Sequence, residues 1–313
     1  MSRRGWWLFA AMGVIWGIPY LLIKVAVGGV SPPVLVLARV AVGAALLLPV
    51  ALRRREIRPL LPHWRWLMLF ALIEIVTPWL LLSEAETKLS SSLSGLLIAS
   101  VPIIAAVLIR LTGSKERLSA VRWAGLLVGL AGVGLLVGGS AISGDTTSVI
   151  EVLGVAICYA IGPIIVSRKL AGLPALGVNA VSLSFAAIVY APLAALTWPS
   201  AVPAAKVLAA LAGLAVVCTA VAFIAFFALI AEVGPARATV ITYVNPAVAV
   251  VLGVLVLSEQ FTPVMGGAFV LILGGSLLAT RAGRPAESDI QLPAAPQQQA
   301  TGDYQSARPG APG

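Results

Sequence analysis

The chain has 313 residues, 60% of them hydrophobic and only 11% charged, with a mean hydropathy of +1.02. Soluble domains carry about 25% charged residues, so this composition excludes a water-soluble globular protein and indicates many membrane spans. The net charge of +9 does not indicate nucleic acid, because the basic residues fall in short clusters between apolar runs rather than on one soluble face.

The N-terminal stretch MSRRGWWLFAAMGVIWGIPYLLIK has a basic start and an apolar run about as long as one span, with no small-x-small cleavage site, so it reads as a first span that is retained. Runs of roughly 20 apolar residues then recur, giving ten candidate spans at about 6–27, 33–52, 66–83, 92–110, 121–140, 150–167, 175–197, 207–231, 238–257 and 263–280. The connections, such as GGVSPP and RRREIRPLLPHW, are short and rich in Gly, Pro or charge. The tail at 283–313 is rich in Pro, Gln, Ala and Gly, lacks apolar periodicity and is expected to be disordered.

Ten spans put both termini on one side. That side receives the clusters around Arg3, Arg53, Arg58, Arg65, Arg110, Lys115, Arg122, Arg168, Arg237 and Arg281. The opposite loops hold only Lys88 and Lys206, with Lys24 near a span end, where snorkelling to the headgroups is its plain reading. The positive-inside rule makes the basic side cytoplasmic.

The chain also resembles itself. VPIIAAVLIRLTGSKERLSAVRWAGLLVGLAGVGLLV aligns with NPAVAVVLGVLVLSEQFTPVMGGAFVLILGGSLLA, so that Pro102 matches Pro246, Glu116 matches Glu259 and Gly132 matches Gly274. Earlier in each half, Trp16 aligns with Tyr159. The expected fold is therefore all-α and membrane-embedded: two repeats of five spans, 1–145 and 146–282, followed by a cytoplasmic tail. An odd number of spans per repeat inverts the second copy, the plan of secondary transporters with a site near midplane. Duplication that merely built a stable bundle is the alternative.

Glu74 stands about nine residues past Arg65, hence roughly 13 Å into the bilayer. A carboxylate there costs on the order of 3 kcal/mol and needs a partner. Arg39 in the second span is the expected one, and the pair is either a static tie or a site for a polar substrate or a coupling proton. Burial and a neighbouring guanidinium pull a carboxyl in opposite directions, so Glu74 is the proton-coupling candidate. Its aligned counterparts, Val217 or Cys218, carry no charge, and Ser182 stands opposite Arg39. Trp16 and Tyr159 near midplane are candidate cavity walls, with Trp79, Tyr243 and Asn245 as further substrate-binding candidates; an amide in lipid needs a hydrogen-bond partner. No other Asp or Glu reads as clearly buried. Pro102 and Pro246 are candidate hinges, because proline removes a backbone donor. Glycines at four-residue spacing, Gly125 and Gly129 or Gly134 and Gly138, suit close helix contact within the fold or a homodimer seam. Cys158 and Cys218 read as small hydrophobes. With one histidine, His63, and no CxxC there is no expected metal or other cofactor.

The segments VIWGIPYLLIK, LARVAVGAALLL, PIIAAVLI…KERL…WAGLLVGLAGVGLL and NPAVAVVLGVLVLSEQFTPVMGGAFVLILGG together resemble the EamA-like family of the drug/metabolite transporter superfamily, over residues 6–280. The resemblance implies a ten-helix inverted-repeat carrier in the inner membrane, often an exporter of amino acids or other metabolites. It also implies structural roles for Glu116 and Glu259, with helix capping favoured. The partners expected are a small-molecule substrate and membrane lipids. A lipid flippase or a non-transporting scaffold is the alternative. An enzyme lacks a nucleophile–base set, and no GxxxxGK[ST] loop is present to use ATP.

Overall fold

A computed structural model describes residues 2–111, 119–142, 146–234 and 238–280. Glu116, Lys115, Arg237 and the tail at 283–313 lie outside the described residues. The described residues are helical throughout and form no strand. Among the described residues, nine helical segments are long and apolar enough to cross a membrane: α1 Arg3–Ala26, α2 Pro32–Arg53, α3 Arg58–Lys88, α4 Ser91–Leu108, α5 Ala120–Gly138, α6 Thr146–Lys169, α7 Ala175–Leu196, α8 Ala205–Val233 and α9 Val240–Leu257. A shorter apolar helix follows, α10 Pro263–Ala279. Helix is the form that satisfies every backbone group without water, which is why these runs take it.

Three segments pack against the segment five places further on: α2 with α7, α4 with α9, and α5 with α10. The cross-contacts recur in the same way, α3 on α6 as α1 on α8, and α4 on α6 as α1 on α9. End contacts fix directions. Ser31, before α2, meets Thr197, after α7, at 2.8 Å between hydroxyl oxygens. Past the other end of α2, Glu56 Oε2 accepts from the Gly177 N–H at the start of α7, at 2.9 Å. These two helices therefore run antiparallel. So do α5 and α10, where Gly125 lies against Ala279 and Gly132 against Ala268.

Among the described residues three segments, α1, α4 and α9, are interrupted beside a glycine or a proline that weakens the helix. α1 is interrupted at Trp16 and Gly17, and Ile18–Ala26 restarts with Pro19 in its first turn. In α4 the helix ends at Ile98 and restarts at Val101, with Pro102 in the first turn of the new helix. In α9 a 3₁₀ turn, Thr239–Tyr243, precedes the helix Asn245–Leu257, again with proline near its start. Pro102 and Pro246 thus open new helices rather than kink continuous ones; a proline's missing N–H costs nothing at that position.

A second kind of break is not legible in the residue types. α3 and α8 each carry a π-helical stretch, Leu72–Val76 and Gly213–Val221. A side chain satisfies a carbonyl at each: Tyr190 Oη donates to Val76 O at 2.5 Å, and Thr219 Oγ1 to Leu214 O at 2.9 Å. Such bulges are frequently found at functional sites.

Candidate functional site

Arg39 is 8% exposed, on the buried face of α2. Its guanidinium lies over the Trp79 ring, 3.6 Å from the centroid, and Nε donates to Thr219 Oγ1 at 2.9 Å. A desolvated cation over indole is worth about 2 kcal/mol, so the π face takes much of the role of an anion. Thr219 belongs to the π stretch of α8, and its own hydroxyl proton goes to Leu214 O. That leaves its oxygen turned to Arg39 and fixes the plane of the guanidinium. The terminal nitrogens of Arg39 make no hydrogen bond among the described residues. Tyr20, Tyr159 and Cys218 are the neighbours that feel its charge, and the Trp79 indole N–H is directed at the Tyr159 hydroxyl.

Glu74 lies in the π stretch of α3. The expected Glu74–Arg39 ion pair does not form: Arg39 is held by Trp79 and Thr219, and Glu74 turns toward α6 instead. Its Oε2 is sealed without a partner against Gly162, where a methyl group would overlap it. Glu74 shares Tyr159 with Arg39 as an electrostatic neighbour. The centre therefore has two poles, guanidinium and carboxyl, that share a tyrosine as electrostatic neighbour.

The remaining sequence candidates fall apart from this centre. Trp16, at the break in α1, packs its ring on Phe226 at 4.6 Å and edge-on to Phe223 at 6.4 Å. Phe223 in turn stacks on Phe227, which lines an apolar cavity of about 280 Å³ between α2, α7 and α8, with Arg54 at its wall. Asn245 finds the partners its amide requires: oriented nitrogen-inward, it donates to Ile241 O at 2.9 Å and Gly13 O at 3.2 Å, tying α9 to α1. Tyr243 ends the 3₁₀ turn just before it.

Sequence reasoning missed several residues. Glu86 is fully buried, although SEAETK reads as a polar span end. Lys24 does not snorkel; its Nζ donates to the carbonyls of Glu86 and Leu89, each at 2.7 Å. Thr219 is a small polar residue in an apolar run and gave no signal. Tyr20, in the helix that restarts after the break at Trp16 and Gly17, gave no signal either.

An all-helical set of apolar segments around a buried cation, carboxyl and aromatic rings defines a multi-pass membrane protein with a polar interior, the build of a transporter. The model of the EamA-like transporter family matches twice, at residues 3–138 and 146–281, and the chain belongs to that family. The uncharacterized inner membrane transporter YedA of Escherichia coli strain K12 is 30% identical over 273 residues, 86% of this chain and 88% of the relative. The same protein in strain O157:H7 aligns equally. A crystal structure 22% identical, covering 90% of this chain and 97% of its own, shares the fold with a TM-score of 0.63.

Proposed function

We propose that the protein is a secondary transporter that carries a small polar or amphipathic metabolite, an amino acid or similar carboxylate, across the inner membrane by alternating access, in the direction of export. The observation that carries this reading is the guanidinium of Arg39. It is held rigidly by Trp79 and Thr219 with its terminal nitrogens free, a fork matched to a carboxylate. Glu74 is the opposite pole, for an ammonium group or a coupling proton.

Ten spans in two inverted five-helix repeats, with both termini cytoplasmic, form the frame of the proposal. The paired family matches, the antiparallel α2–α7 and α5–α10 contacts and the π stretches in α3 and α8 support it. Two similar halves give two states of similar energy, one open to each side, and the breaks before Pro102 and Pro246 are the proposed hinges. Counterflow of labelled amino acids in proteoliposomes tests the reading. Wild type is expected to exchange at least one of them, and Arg39→Gln to lose that exchange. Labelled phospholipids crossing while no soluble metabolite does would replace it with a flippase. If Glu74→Gln keeps full pH-driven uptake, Glu74 is not the coupling group.

A further inference from the structure

Glu86, further along α3 than Glu74, is the most enclosed acid among the described residues. It is 0% exposed, and both carboxyl oxygens are sealed and without a hydrogen-bond partner. The charged and titratable groups that face it are Tyr20 and Lys24 from α1 and Glu259 from beyond α9. From α6, Glu151 faces Glu84 and Lys88 instead, and from α2, Arg39 reaches Tyr20 but not Glu86. The Lys24 backbone N–H is directed at the Glu86 carboxyl, but no donor reaches either oxygen at hydrogen-bond geometry. Lys24 gives two of its three donors to the Glu86 and Leu89 carbonyls at the end of α3, where a helix leaves carbonyls unpaired. The Glu259 carboxylate is occupied by the start of α4, accepting from Ser91 N at 2.7 Å, Ser92 N at 2.9 Å and Ser92 Oγ at 2.5 Å. The Ser91 and Ser94 hydroxyls at that same helix start are also buried and unpartnered.

An ionised carboxylate needs close donors or a paired cation, and Glu86 has no hydrogen bond at full geometry and feels the Lys24 ammonium only from a distance. Water or a metal ion would need room beside the oxygens, and sealed oxygens leave none. A proton needs no room. We propose that Glu86 is a proton-binding site separate from the Arg39–Glu74 centre. It is loaded while this end of the bundle is closed, as here, and emptied to the outer water when the end opens. On opening, the O–H bond of Glu86 breaks, the proton passes to water, and Lys24, released from the Glu86 and Leu89 carbonyls, pairs with the new carboxylate. On closing, the carboxylate takes a proton from the same water and Lys24 returns. Acid outside therefore holds this end shut. The assignment of this end to the outer face rests on the orientation proposed above; the proton site itself does not.

The test needs no substrate. Leu89 is 3% exposed, so in full-length protein lacking Cys158 and Cys218 a Leu89→Cys thiol reacts with an impermeant maleimide only when the end opens. Its rate is divided by that of a Val202→Cys reference, a site 86% exposed, to remove ordinary thiol titration. The ratio is expected to rise about tenfold between roughly pH 6 and pH 9, and to be flat with pH after Glu86→Gln. A flat ratio in both, or a rise that survives Glu86→Gln, overturns the proposal. The infrared spectrum of the wild-type protein in vesicles is the second measurement. A protonated-carboxyl band is expected at neutral pH, retained after Glu74→Gln; a wild-type spectrum without it overturns the proposal whether or not any variant folds. Leu89→Cys reacting only from the cytoplasmic side would sink the orientation and leave the proton site standing. Absence of metabolite counterflow would sink the transport reading and leave both of these results unchanged.

Discussion

At the residue scale, Arg39 illustrates how a buried charge is retained without an opposite charge. The Trp79 face and the Thr219 hydroxyl together hold it, and each can be removed separately. Thr219→Val deletes a hydrogen bond to a charged group, worth about 1.5–3 kcal/mol, and is expected to weaken substrate exchange by about tenfold or more while the fold persists. Arg39→Lys keeps the charge but loses the planar fork and is expected to cost more. Counterflow at several substrate concentrations checks both, and equal activity of Arg39→Lys and wild type would remove the fork from the mechanism. Gly162 sets the position of Glu74 from the other side. Gly162→Ala is expected to displace that carboxyl and to alter pH-driven uptake in the same direction as Glu74→Gln, which parallel assays would show.

At the scale of elements, glycines separate packing seams from open faces. A methyl at Gly275 would overlap the backbone of Gly125 and Gly129, and one at Gly129 would overlap Ile103. Gly134 and Gly138, on the same helix as Gly129, meet nothing within 4 Å. Gly275→Ala is therefore expected to destabilise by about 1–3 kcal/mol through overpacking, and Gly134→Ala to be neutral or slightly stabilising by helix propensity. Thermal unfolding in detergent distinguishes the two; equal shifts would mean that α5 and α10 do not pack as described. Of the two spaced glycine pairs, Gly125 and Gly129 serve contact within the chain, while Gly134 and Gly138 meet nothing within it. The role assigned to Glu259 belongs to this scale too: it caps α4, a different helix from the one that follows it in sequence.

For the whole molecule, the proposed orientation makes a directional prediction. A cysteine at Arg58, exposed before the apolar part of α3, is expected to react with impermeant reagents only from the cytoplasmic side, and one at Lys206, exposed at the start of α8, only from outside. Both reacting from one side would break the inverted arrangement and with it the symmetry on which alternating access rests. Holding the two antiparallel helices together offers a second handle. The Ser31 and Thr197 hydroxyls touch at one end of the α2–α7 pair, and Glu56 meets Gly177 at the other, so Glu56→Gln is expected to loosen only the second end.

The sequence by itself determined that this is a membrane protein, where its apolar segments lie, that its two halves resemble one another, and that Arg39 and Glu74 stand in otherwise apolar runs. Those properties follow from hydropathy and length, which act along the chain one segment at a time. It did not determine partners. Depth alone suggested that Arg39 and Glu74 would meet, yet which neighbour a side chain finds depends on the rotation of each helix about its axis. The π stretches of α3 and α8 reset that rotation, turning Glu74 to Gly162 and Thr219 to Arg39. Glu86 was hidden for a related reason. Its surroundings in sequence are polar, and only the closing of α1, α4 and the end of α9 over it makes it buried.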